Sequence, residues 1–199
     1  MFLRAKEVCV PDDLDSSIII YKCKDIKQGA CKINLPYDFD VVVHEKDGKF
    51  KRIIKLEGDG SDSIETKDPK GIWFVRTSLT FMLWGTGNMS CEKDGQRIEF
   101  GANGELSFFV KNADDLVQQF LKSAAVNTKD IRKHLSTKMY GTISGILSDY
   151  VSKSGLKNLD KTACQNEITE QLIHLFLSLG LSLGSFTIEK SIDYSELEV

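Results

Sequence analysis

RIEFGANGELSFFV, Arg97 to Val110, runs directly into KNADDLVQQFL, Lys111 to Leu121, and the hydrophobic period changes at the join. In the first stretch Ile98, Phe100, Ala102, Leu106, Phe108 and Val110 share one parity with Gly104 in step. Arg97, Glu99, Asn103, Glu105 and Ser107 take the other. Side chains on a strand alternate between two faces, so the pattern predicts one long, half-buried strand. The second stretch is helical in period. Asn112 stands where a cap belongs, Asp114 and Asp115 put negative charge at the positive end of the helix dipole, and Leu116, Val117, Phe120 and Leu121 make the apolar face. A long strand feeding an acid-started helix is architecture and holds no catalytic group.

Upstream, residues 17–110 read as a β-rich part. Ile18 to Tyr21 makes a short buried strand, and Asp38 to His44, DFDVVVH, makes another that leads through EKDG into KFKRIIKLEG. Asp47 and Gly48 between two β-prone runs signal a hairpin, because both residue types tolerate positive φ. Gly58 to Gly71 is polar and turn-rich, a surface loop with room for a short strand around Ile64. Strands resume at Ile72–Val75 and Leu79–Trp84, and Gly85 to Asn88, GTGN, reads as a tight turn.

Downstream, residues 112–180 read as helical. Asn127 with Asp130 three positions on is a capping pattern, followed by Ile131, Leu135, Met139, Ile143, Ile146, Leu147 and Tyr150 at steps of three and four. That spacing predicts an amphipathic helix of about six turns. Gly141 and Gly145 cost helix stability, about 1 kcal/mol each against alanine, and are expected to admit another backbone closely. Gly155 ends this helix, and Asp160 or Thr162 caps the next. In that helix Ile168, Leu172, Leu175, Phe176 and Leu179 form the buried stripe, and Gly180 is its left-handed stop, followed by Leu181. A closing strand is expected over 183–192 from Phe186, Ile188 and Ile192. Strands, then about three helices, then a strand predict an α+β fold with segregated layers, an antiparallel or mixed sheet and a single domain over 1–199.

The chain has 199 residues, 41% hydrophobic and 28% charged, enough to bury a sizeable core. A net charge of −3 argues against nucleic acid as a general partner. No run of about eighteen apolar residues exists to span a bilayer. The acidic break soon after Met1 argues against a secretory leader, so the expected place is the cytoplasm. Cys9, Cys23, Cys31, Cys91 and Cys164 are odd in number and irregular in spacing, which predicts reduced thiols. His44, His134 and His174 fall in three segments, so neither a metal nor a cofactor is expected.

GxSxG, HExxH, a Walker phosphate loop and GxGxxG are all absent from the sequence. GDG at Gly58 and GTG at Gly85 lack the lysine a phosphate loop needs and read as turns. His134 and Lys138 share a helix face without a third member to orient the histidine. Cys164 and His174 lie ten residues apart on one helix, roughly 15 Å along its axis, too far for proton transfer. Asp12 with Asp13, and Asp114 with Asp115, are accounted for by solvation or capping.

Three pieces carry a family resemblance: IIIYKCKDIKQGACKINLPYDFDVVVHEKDGKF, GIWFVRTSLTFMLWGTGN, and RIEFGANGELSFFVKNADDLVQQFL. Together with the ending GLSLGSFTIEKSI they resemble the SPFH superfamily, the domain of stomatins, prohibitins and flotillins, and within it the bacterial branch labelled virion-core-protein-like. The likeness spans Ile18 to Ile192 and includes no catalytic motif. It implies a non-enzymatic scaffold or adaptor that forms homo-oligomers and is held at the cytoplasmic face of a membrane by a membrane-bound protein partner. The chain departs from the family by ending at Val199 without a long coiled coil or zinc ribbon. An open edge strand of the β part, or the Leu-rich last helix, is the expected contact surface. The alternative is a small-molecule or peptide sensor whose pocket is lined by Trp73, Phe74, Phe81 and Trp84, aromatics that alternation otherwise assigns to the interior. A thiol-dependent enzyme would require an unusually reactive Cys164 or Cys91.

Overall fold

The computed structural model describes residues 6–24, 26, 29–53 and 63–194. In chain order the strands are β1 (Lys6–Val8), β2 (Ile18–Lys22), β3 (Ala30–Asn34), β4 (Phe39–His44), β5 (Phe50–Ile53), β6 (Ser63–Lys67), β7 (Gly71–Arg76), β8 (Thr80–Gly85), β9 (Met89–Lys93) and β10 (Gln96–Val110). Then come α1 (Ala113–Gln119), β11 (Ala125–Asn127), α2 (Thr128–Ser154), α3 (Lys161–Leu177), β12 (Leu181–Phe186) and β13 (Lys190–Asp193). The class is α+β: a β-rich first half, three α-helices and closing strands. The chain forms two compact units, Met1–Ser78 with Val110–Ile131 and Leu179–Leu181, and Leu79–Phe109 with Arg132–Ser178 and Ser182–Val199.

The first unit packs a three-stranded sheet, in the order β1-β3-β6, on a five-stranded one, β11-β2-β7-β4-β5. Alternation divides the central strands between two cores. Val41, Val43, Ile72 and Phe74 join Val8, Cys31, Ile33, Leu35 and Phe39 in one cluster. On the opposite parity Asp40, Val42, Trp73 and Val75 are also buried. α1 packs over β4, β5 and β7 with Ala113, Leu116 and Val117 buried. The β4–β5 hairpin forms where Asp47-Gly48 signalled it, but only Gly48 takes a positive φ, +92°. Gly48 N–H donates to the Glu45 carbonyl and Glu45 N–H to that of Lys49, a three-residue loop with glycine at the left-handed position. Of the polar stretch 58–71, β6 occupies 63–67 around Ile64, and the part before Ser63 lies outside the described residues.

Asn112 does hold the N-cap position of α1, yet its side chain makes no capping bond. Its amide donates to the Asp115 carboxylate instead, and the Lys111 and Asn112 backbone N–H groups both reach the Gly180 carbonyl. α1 ends at Gln119, so Phe120 and Leu121 follow the helix and are only half-buried. The cap of α2 is as expected: Asn127 Oδ1 accepts from Lys129 and Asp130 N–H while Asp130 Oδ2 accepts from Asn127 N–H.

The second unit is organised by β10. β8 and β9 follow one another along one of its edges, and β12 and β13 also pair with it. β8 is in register from Thr80↔Phe108 to Gly85↔Asn103, and β9 from Met89↔Phe100 to Lys93↔Gln96. Between them Thr86, Gly87 and Asn88 face only Gly101 and Ala102, a one-residue bulge. Thr86 closes it: its backbone N–H and hydroxyl both donate to the Ala102 carbonyl, and Ala102 N–H donates to Thr86 Oγ1 at 2.9 Å. Thr187, between β12 and β13, does the same with the N–H and carbonyl of Glu105. The expected single closing strand is therefore two strands hinged at Thr187.

β10 buries Phe100, Ala102, Leu106 and Phe108, as its alternation predicts, together with Gly104, and Ile98 is half-buried. α2 runs 27 residues, longer than the six turns expected, with Leu135, Met139, Ile143, Leu147 and Val151 buried at strict four-residue steps. Ile146 and Tyr150 are half-buried flanks of that stripe. Gly141 and Gly145 do not receive another backbone; both are exposed, with open space where a β-carbon would be. α2 stops before Gly155, whose φ is +79°, and Asp160 caps α3 by accepting from Ala163 N–H. Cys164, Ile168, Leu172 and Phe176 form the buried stripe of α3, with Leu175 half-buried and Leu179 buried after the helix ends. Gly180, at φ +77°, is the left-handed stop.

Candidate functional site

β8 is apolar on both faces. Met82 and Trp84 point inward and are buried, and Trp84 stacks on Phe186 with ring centroids 4.7 Å apart. On the other parity Leu79 is 52% exposed, Phe81 57% and Leu83 65%, three large apolar side chains in a row. The register sets Phe81 beside Ser107 and Leu83 beside Glu105, and exposed Phe109 shares that outer parity. Burying such side chains is worth about 1.5–3 kcal/mol each, and this face leaves three of them more than half exposed.

Among the described residues no strand other than β10 pairs with β8. Natural edge strands are guarded by charge or proline. Four other strands carry charge, β5 Lys51 and Arg52, β6 Glu65 and Lys67, β9 Glu92 and Lys93, β13 Lys190 and Asp193, whereas the three-residue edge strand β11 is uncharged. From Thr77 to Ser90, TSLTFMLWGTGNMS has neither. β12 is also uncharged, but its exposed positions are Gly184 and Ser185. On α3, exposed Ile173 and Leu177 stand among exposed Glu170, Gln171 and His174, a weaker patch.

The four aromatics of the sensor reading divide between the two units. Trp73 and Phe74 are buried in the first unit, and Phe81 and Trp84 belong to the second, where Phe81 faces outward. Trp84 lines a crevice of about 220 Å³ with Met139, Tyr140, Ile143 and Arg132, below the range of about 300–1,000 Å³ typical of small-molecule sites. Trp73 Nε1 is buried with no hydrogen-bond partner among the described residues.

The five cysteines are not joined in disulfides, with Cys31 and Cys164 buried and Cys9 exposed. Burial first, then the nearby Glu167 and Asp160 charges, push the Cys164 thiol up to about 11. Its thiolate at neutral pH is on the order of one part in ten thousand, so iodoacetamide is expected to label exposed Cys9 well before Cys164 in peptide mapping. Fast, stoichiometric labelling of Cys164 in folded protein would contradict that environment. His174 is exposed near the far end of α3 from Cys164. Among the described residues no three of His, Cys, Asp and Glu are grouped to hold a metal ion. Also among them, no helix is long and apolar enough to cross a membrane, which leaves strands aside. Compared with known proteins, the chain matches no protein-family model and no curated protein sequence.

Proposed function

We propose that this chain is a non-enzymatic, SPFH-like scaffold or adaptor domain that self-associates and binds protein partners at the cytoplasmic face of a membrane. The observation that carries the reading is β8 with the residue before it: an uncharged strand that among the described residues pairs only with β10, with Leu79, Phe81 and Leu83 each more than half exposed. Such an edge gains main-chain hydrogen bonds from an added strand and specificity from its alternate side chains. The order of strands, three helices and closing strands is the α+β order that the sequence predicts. On this reading a membrane-bound protein, and not lipid, holds the chain at the bilayer.

Light scattering over a concentration series and flotation with native membrane vesicles test it together. The expected result is a mass that rises with concentration, and flotation with native vesicles that is lost with protein-free liposomes. A chain that stays monomeric throughout and ignores both kinds of vesicle ends the proposal. The sensor alternative would draw on the Trp84 crevice, and ligand-dependent quenching of Trp84 fluorescence is the result that would favour it.

A further inference from the structure

We infer that two copies of this chain join by antiparallel pairing of β8 with β8 about a two-fold axis at Phe81, so that the sheet of one copy continues into that of its partner. This rests on the self-association proposed above and supplies its interface.

The occupant of the β8 edge has to meet three conditions. It must be extended over about six residues, bring no charge against the uncharged run from Thr77 to Ser90, and carry large apolar side chains at alternate positions. β8 itself meets all three, whereas β5, β6, β9 and β13 each bring charge. Register follows from geometry. Directly opposed residues of an antiparallel pair share a face, so the outward residues Leu79, Phe81 and Leu83 must oppose outward residues of the second copy. With the axis at Phe81, Leu79 meets Leu83 of the second copy, Phe81 meets Phe81, and Leu83 meets Leu79. With the axis at Met82, Leu79 meets Gly85; at Thr80, Leu83 meets Thr77. The Phe81 axis alone pairs all three exposed side chains with one another.

Two-fold pairing uses each β8 edge once, so the assembly closes as a dimer and does not extend into fibres. Among the described residues of the second unit it covers the one strand edge that combines exposed large apolar residues with a lack of charge. A single pair of six-residue strands buries less than the roughly 1,200 Å² of a standard stable interface. The dimer is therefore expected to dissociate in the micromolar range.

Sedimentation velocity on the whole chain, from low micromolar to submillimolar, reads the dimer. Phe81→Lys and Leu83→Lys substitute side chains that already face water, and each is expected to raise the dissociation constant at least tenfold with unchanged circular dichroism. In a Cys9→Ser background, Phe81→Cys is expected to give a disulfide-linked dimer under mild oxidation faster than Ile173→Cys on α3. Amide exchange of the unsubstituted chain needs no variant: β8 amides gain protection as concentration rises. Three results overturn the inference. If the chain dimerises but neither lysine variant weakens it and protection rises elsewhere, this interface is wrong while self-association stands. If the chain is monomeric at every concentration, self-association fails with it. If β8 gains protection only when a membrane-protein extract is added, the occupant of the edge is another protein.

Discussion

Gly104→Ala is expected to lower the unfolding free energy by about 3–5 kcal/mol, a loss large enough to leave much of the chain unfolded at 37 °C. Gly104 sits mid-way along β10, opposite Trp84 and alongside Thr187. The backbone there does not need glycine for its angles; the space does. A β-carbon would overlap the Thr187 carbonyl oxygen and lie 2.9 Å from its carbonyl carbon and 3.1 Å from Trp84 Cζ2. Backbone cannot rotate away as a flexible side chain can. Moving Thr187 disturbs the bond its carbonyl receives from Trp84 Nε1 at 3.1 Å, both of its own bonds to the Glu105 carbonyl, and the Trp84–Phe186 stack. Gly85→Ala is the control, because its β-carbon would meet nothing closer than 3.6 Å, and a change under about 1 kcal/mol is expected there. Urea unfolding followed by tryptophan fluorescence compares the two. Equal, small effects at both positions would mean that the crowding around Gly104 is relieved cheaply.

The same residue marks what the sequence makes legible. β10 could be read because one of its faces is apolar and the other polar, and Gly104 kept step with the buried set. That glycine allows the close approach of Thr187 was not legible, because nothing local announces which distant backbone will arrive. The closing segment breaks at Thr187 for the same reason. β9 is legible only from its turn, where Asp94 and Gly95, at φ 52° and 76°, form the two-residue connection that their dipeptide signals. Its own residues, Met89 to Lys93, have little strand propensity and are held by register with β10. β1 and β11, three residues each, owe their shape to their neighbours. The candidate site failed to show for a different reason. On β8 both parities are apolar, so the alternation that betrays an exposed face is absent, and the sequence does not separate Leu79, Phe81 and Leu83 from buried Met82 and Trp84.

Arg52→Met is expected to cost about 2–4 kcal/mol near neutral pH, with a penalty that shrinks as pH falls. Asp40 is 5% exposed, and its Oδ2 accepts from Arg52 Nε at 2.7 Å and pairs with Nη2 at 2.6 Å. Nη1 of the same guanidinium donates to the Lys111 carbonyl at 2.9 Å, so one side chain ties the β4–β5 hairpin to the approach of α1. Burial raises the Asp40 carboxyl above its ordinary 3.8, Arg52 pulls it back and Asp114 pushes it up further. A carboxyl raised on folding holds its proton more tightly in the folded state. Its contribution is therefore most favourable below pH 3.8 and is lost as pH rises through the folded value. Removing Arg52 moves the folded value higher still, which widens that window toward neutral pH and leaves a bare buried carboxylate above it. In acid the carboxyl is protonated and the same variant loses only the Lys111 hydrogen bond and packing, a pH-independent remainder. Stability curves from pH 4 to 8 for the parent, Arg52→Met and the double variant Asp40→Asn with Arg52→Met separate the two parts. The double variant is expected to regain part of the loss at neutral pH and to run flatter than Arg52→Met. A penalty for Arg52→Met that stays constant across the range, or grows in acid, would show that the Asp40 charge is not what Arg52 stabilises.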